Sequence, residues 1–93
     1  MILAVDVGNS HTVLGGIENG EIRNVVRIQT GHSDTWAEYA IKIKQLFDIF
    51  DFDLKKLEGA IVSSVVPPAT AAIIEAVRRP SIWRSASHRV WNT

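Results

Sequence analysis

Polar and apolar positions follow two rhythms along this chain. Ile2-Leu3-Ala4-Val5 is an all-apolar run closing at Asp6, the pattern of a central strand covered on both faces. Thr12-Val13-Leu14-Gly15-Gly16-Ile17 follows, then Glu18-Asn19-Gly20-Glu21, then residues 22–28, where Ile22, Val26 and Ile28 fall on one face and Arg23 and Arg27 on the other. An Asn-Gly pair favours positive φ at both positions of a two-residue turn, so three antiparallel strands are expected to open the chain.

The period changes at Thr35. Thr35-Trp36-Ala37-Glu38 has the spacing of a capping box, with the hydroxyl accepting the backbone N–H three residues on and the carboxylate reaching back. Tyr39, Ile43, Leu46, Phe47 and Phe50 then recur as one apolar helical stripe, closed by Asp51-Phe52-Asp53, with one further turn expected over residues 53–57. Ala60-Ile61-Val62-Ser63 reads as another buried strand, paired parallel to the first across a helical crossover. Pro67-Pro68 stops it, and residues 69–79 read as a second helix with Ala72, Ile73, Ala76 and Val77 inward, ended by Pro80. The expected order is β-β-β-α-β-α, an α/β fold with a mixed sheet.

Ninety-three residues suffice for one small domain with a thin core. Apolar residues make up 46% and charged residues 22%, which excludes disordered and collagen-like classes, and the absence of cysteine excludes disulfides, thiolate metal sites and cysteine nucleophiles. No apolar run approaches the roughly 20 residues of a membrane helix. With no signal peptide visible, the expected compartment is the cytoplasm. Ten basic and ten acidic residues cancel overall. Up to Val77, however, six basic residues stand against ten acidic ones, while residues 78–93 hold Arg78, Arg79, Arg84 and Arg89 with no acid, together with Trp83 and Trp91. Such a tail reads either as a contact for an acidic partner or as sequence not selected with the rest.

Candidate chemistry gathers where the first strand meets the hairpin, at Asp6-Val7-Gly8-Asn9-Ser10-His11-Thr12. Gly8 permits close backbone approach to an anion, Asn9, Ser10 and Thr12 offer donors, and Asp6 at the carboxyl end of a strand can hold a hydrated Mg²⁺. The spacing is neither a Walker loop nor a GxGxxG fingerprint, and a plain structural turn explains the same residues equally well. His11 reads as a phosphate contact or a solvated loop residue, and His32 and His88 have no partner at metal-ligand spacing. Ser63 and Ser64 lack a nucleophile elbow and an assignable base, which leaves strand-end packing.

Four blocks in register, residues 1–9, Thr12-Val13-Leu14-Gly15, residues 35–39 and Gly59-Ala60-Ile61-Val62-Ser63-Ser64-Val65-Val66-Pro67-Pro68, resemble the opening of a type III pantothenate kinase. The resemblance implies a ribonuclease-H-like half-fold of the actin-like, hexokinase-like ATPase superfamily. It also implies ATP-dependent phosphorylation of pantothenate to 4′-phosphopantothenate, the first step of coenzyme A synthesis, in a homodimer using Mg²⁺ and a monovalent cation, K⁺ or NH₄⁺. By the same resemblance Asp6, Val7, Gly8, Asn9, Ser10, His11, Thr12 and Val13 form the first ATP-phosphate motif, with Asp6 near the metal, directly or through water. The family usually has Thr-Asn where this chain has Ser10-His11, which keeps the hydroxyl and alters the loop.

The resemblance covers residues 1–79, expected to be an amino-terminal kinase subdomain, and residues 80–93 are expected to be a non-family basic tail such as a frameshift or truncated reading leaves. The family's Gly-Pro-Gly segment, its Gly-Ala-Asp-Arg segment with the catalytic aspartate and its second Asp-x-Gly-Thr motif do not occur here. Phosphoryl transfer needs groups on both sides of the nucleotide and a group to orient the nucleophile, so this chain alone is expected to be inactive and to hold no catalytic residue. The alternatives are a non-catalytic remnant that dimerises or binds an acidic partner through its arginines, and a ribonuclease-H-type nuclease. The nuclease would require converging carboxylates that residues 60–66 do not supply, and nucleic acid and membranes are not expected partners. With the sheet incomplete, Ile61, Val62 and Ile73 are expected to be partly uncovered and the chain to be marginally stable or self-associating.

Overall fold

A computed structural model describes residues 1–50, 56–79 and 89–92, with only the main chain described at Arg89. Strands β1 (Ile2–Val7), β2 (His11–Glu18) and β3 (Glu21–Gln29) are followed by helix α1 (Trp36–Ile49), strand β4 (Gly59–Ser64), helix α2 (Pro67–Arg78) and strand β5 (Arg89–Asn92). One five-stranded sheet carries the order β3-β2-β1-β4-β5. β1 runs antiparallel to β2 and parallel to β4, with Asp6 in register between Val13 and Ser63. The mixed α/β sheet and the parallel β1–β4 crossover follow the sequence reading. A seventh element, β5, is added parallel to β4 within the segment read as a tail.

The β2–β3 turn shows why Asn19-Gly20 was so informative: both residues have positive φ, 53° and 77°, which a right-twisted two-residue hairpin requires. At α1 both halves of the capping box form, with the Glu38 amide donating to Thr35 Oγ1 at 3.3 Å and the Thr35 amide to Glu38 Oε1 at 3.0 Å. Helix α2 begins at Pro67, earlier than residue 69, because proline's fixed φ and missing N–H suit the first helical turn.

Both helices contribute to one core with Leu3, Val5 and Val7 of β1, Leu14 of β2, and Ala60 and Val62 of β4. From α1 come Tyr39, Ile43 and Phe47, and from α2 Ala69, Ile73, Ala76 and Val77. Leu46 and Ala72 are only half-buried, and Phe50 ends the helix exposed. Val62 and Ile73 are fully covered by this packing, contrary to expectation; of the three residues expected to be uncovered only Ile61 is partly exposed.

β1 is covered on one side only: Ile2 and Ala4 are half-buried and Asp6 is exposed on the side away from the core. Nor do Ile22, Val26 and Ile28 share a buried face. The register shifts between Leu14 and Gly16, so Asn24 (φ 53°) and Val25 together oppose Gly15, and this bulge reverses the alternation of β3. Ile22 and Val25, 64% and 60% exposed, consequently line a trough on the open sheet face with Val13 and Ile61.

The expected closure by residues 51–53 and most of the extra turn over 53–57 lie outside the described residues, as do Trp83, Arg84 and His88. Arg79, counted with the tail, is engaged inside the fold: it pairs with Glu75 at 2.6 Å and stacks over Trp36 with its guanidinium carbon 4.1 Å from the ring centroid.

Candidate functional site

Residues Gly8, Asn9 and Ser10 connect β1 to β2 at the carboxyl end of β1. The loop is closed by the Gly8 amide, which donates to the His11 carbonyl at 2.9 Å. A Cβ on Gly8 would lie 2.8 Å from that same oxygen, so the glycine is there because nothing larger permits the close approach. Beside the loop the Val65 amide donates to the Val7 carbonyl at 3.2 Å, tying the end of β4 to the end of β1.

Of the residues singled out from the sequence, Asp6, Asn9, Ser10 and His11 are exposed, Gly8 and Val13 are half-buried, and Val7 and Thr12 are buried. Asp6 stands on the open sheet face at one end of a trough of about 410 Å³ that Val13, Ile22, Val25, Ile61 and Ser63 also line. Among the described residues its carboxylate has neither an ion pair nor a hydrogen-bond partner. That fits Mg²⁺, which keeps most of its water and takes one or two carboxylates besides phosphate oxygens. No cluster of three or more His, Asp or Glu that could hold a metal ion exists among the described residues.

Thr12 differs from its sequence reading. Its hydroxyl is turned into the core, 2.8 Å from the Thr30 hydroxyl, and the single Thr30 proton goes to the Gly8 carbonyl at 2.8 Å. Thr12 must therefore donate to Thr30, which leaves it no proton for an anion. Ser64 is also occupied: its hydroxyl accepts the Val66 amide at 3.0 Å and shapes the turn into α2, which agrees with strand-end packing.

Sequence reasoning missed Thr30 and gave His32 no role. Thr30 is buried just past β3, its amide donating to the Ser10 carbonyl at 3.0 Å. His32 Nε2 lies 2.6 Å from the Asn9 carbonyl. Both contacts span some twenty residues of sequence and leave no local signature. The segment is held from below by Tyr39, whose hydroxyl donates to the Gly31 carbonyl at 2.7 Å. Burial, with the nearby Asp34 carboxylate, pushes the Tyr39 hydroxyl above its ordinary pKa of 10.0.

Solved structures share the fold of this chain at low sequence identity. A protein assigned as an N-acetylglucosamine kinase from Porphyromonas gingivalis superposes with a TM-score of 0.61 at 15% identity, covering 99% of this chain and 33% of that one. RuvC of T. thermophilus in complex with a Holliday junction substrate gives 0.59 at 12% identity, covering 99% of this chain and 62% of that one. The fold is thus ribonuclease-H-like. Among curated relatives, the type III pantothenate kinase of Anaeromyxobacter sp. (strain Fw109-5) is 47% identical over 68 residues, and that of Anaeromyxobacter dehalogenans (strain 2CP-C) 40% over 68 residues. Each match takes in 73% of this chain and 27% of the relative, so the chain spans about a quarter of their length. A sequence model of the same family matches residues 2–89, from the start of β1 through the crossover helices to the first residue of β5, and on that match the chain belongs to the type III pantothenate kinase family.

Proposed function

We propose that this chain forms one wall of the site of an ATP-dependent pantothenate kinase, with the β1–β2 loop facing the nucleotide phosphates. Residues Asp6, Val7, Gly8, Asn9, Ser10, His11, Thr12 and Val13 make up the wall, and Asp6 takes the Mg²⁺ that accompanies the phosphates. The observation that carries this reading is the loop's inventory of polar groups. The carbonyls of Gly8, Asn9, Ser10 and His11 all have partners, whereas no described group accepts from the amides of Asn9 and Ser10. A loop left with open N–H groups beside an unpaired carboxylate suits an anion that arrives with a cation. Val7 and Thr12, being buried, act by holding the backbone, while Ser10 and Asn9 also offer side-chain donors.

Pantothenate as acceptor, the monovalent cation (K⁺ or NH₄⁺) and the homodimer enter this proposal through the family. The family's Gly-Ala-Asp-Arg segment with its catalytic aspartate and its second phosphate motif do not occur in this sequence, so the chain by itself is proposed to bind nucleotide without turning it over. Binding and turnover separate the two halves of the proposal. In calorimetric titrations the chain is expected to bind MgATP well above adenosine, to lose about tenfold in affinity without Mg²⁺ or as Asp6→Asn, and to release no pantothenate-dependent ADP. Equal affinity for ATP with and without Mg²⁺, in both the parent and Asp6→Asn, would contradict the role of Asp6. Turnover by the chain would contradict its inactivity.

A further inference from the structure

A loop that holds an anion must do more than offer N–H groups; it must turn its carbonyl oxygens away, since each carries a partial negative charge that repels phosphate. Between β1 and β2 the carbonyls are restrained individually. Gly8 O accepts from the Thr30 hydroxyl at 2.8 Å, Asn9 O lies 2.6 Å from His32 Nε2, Ser10 O accepts from the Thr30 amide at 3.0 Å, and His11 O accepts from the Gly8 amide at 2.9 Å. Three of these four contacts come from two residues that lie just past β3 and outside the family's phosphate motif.

We infer that Thr30 and His32 are positioning residues for phosphate binding, which pin the loop carbonyls so that the Asn9 and Ser10 amides remain open to an anion. The inference rests on the phosphate reading of this loop and adds the residues that shape it. The Thr30 side chain cannot rotate freely, because its oxygen also accepts the buried Thr12 proton while its own proton goes to Gly8 O. His32 presents Nε2–H to Asn9 O, the tautomer a carbonyl acceptor demands. The segment carrying both is braced from α1 by the Tyr39 hydroxyl on Gly31 O at 2.7 Å, and by the Lys42–Asp34 ion pair. Residues 30–34 thus link α1 to the carbonyls of the β1–β2 loop.

Thr30→Val keeps the shape and removes the hydroxyl, whereas Thr30→Ser keeps the hydroxyl and removes the methyl. Two readouts on the full chain test the inference. The first is backbone order and amide exchange at residues 8–11 without nucleotide; the second is affinity for MgATP and inorganic phosphate, with adenosine as a phosphate-free control. Thr30→Val is expected to speed amide exchange across the loop and to weaken MgATP and phosphate about tenfold, with adenosine unmoved and Thr30→Ser close to the parent. His32→Phe, at an exposed position that leaves the core untouched, is expected to weaken both phosphate ligands about threefold and serves if Thr30→Val does not fold. Unchanged loop order and affinity in Thr30→Val and His32→Phe would overturn the inference, as would loss of adenosine binding in parallel with phosphate. A parent chain that binds neither MgATP nor phosphate would refute the phosphate reading alone. The loop-order comparison of Thr30→Val with Thr30→Ser would still decide whether the hydroxyl positions the loop.

Discussion

Replacing Gly8 with alanine separates the loop's shape from the chain's stability. The added Cβ would sit 2.8 Å from the His11 carbonyl oxygen, a backbone atom that no rotamer change can move. Relief to an ordinary contact requires the two sides of the loop to part by roughly half an ångström. The Gly8 amide that closes the loop at 2.9 Å from this oxygen is then stretched to the limit of a hydrogen bond. Loss of that bond costs about 1 kcal/mol, and the smaller entropy of the unfolded alanine chain returns about 0.5 kcal/mol. Net destabilisation should therefore be less than about 1 kcal/mol, whereas the open amides at Asn9 and Ser10 shift by a distance large against hydrogen-bond tolerance. Urea denaturation should barely register Gly8→Ala, while MgATP affinity measured by calorimetry should fall about tenfold. Gly20→Ala is the matched control: with φ 77° and no atom near the new Cβ, it should cost about 1 kcal/mol through backbone strain and leave nucleotide binding intact. Gly8→Ala binding MgATP like the parent, or losing affinity only in proportion to unfolding, would refute the reasoning.

Other perturbations address the frame that holds the loop. Because the Tyr39 pKa is raised in the folded chain, its contribution is complete below the ordinary tyrosine pKa of 10.0 and is lost as pH rises through the raised folded value. Alkaline denaturation should thus begin earlier in the parent than in Tyr39→Phe, and coincident curves would contradict it. Ile73→Ala empties a fully buried site between α2 and the sheet and should cost about 2–5 kcal/mol, read from urea midpoints. A cost below about 1 kcal/mol would mean that α2 does not pack as described. The open face carrying Ile22, Val25 and Ile61 should make sedimentation of the chain concentration-dependent, and the double substitution Ile22→Lys and Val25→Lys should suppress this. An invariant monomer in the parent would argue against it.

Local chemistry was legible in the sequence wherever a feature depended on neighbours along the chain. Asn19-Gly20 and the Thr35/Glu38 box each state their geometry within four residues, and both form as read. The stripe of α1 was legible as far as Phe47, beyond which the helix ends and Phe50 turns outward. Alternation misled at β3, because the bulge at Asn24 reverses which residues share a face and no pattern of side chains announces it. The two-sided burial read into β1 came from counting apolar residues, while both crossover helices in fact cover the same face of the sheet. β5 escaped notice because a four-residue edge strand, Arg-Val-Trp-Asn, has too little length to show a period. In the site, the loop itself was readable from Asp6 and Gly8, but the inward turn of Thr12 and the roles of Thr30 and His32 arise from contacts between strands, invisible until the sheet is assembled.

The most direct test of the phosphate-binding wall is an amide-resolved NMR titration of the chain with MgATP. The expected result is saturable shifts concentrated at Asn9, Ser10 and His11, reproduced by MgADP and absent with adenosine. Shifts confined to other elements, or the absence of any saturable change at the β1–β2 loop, would contradict it.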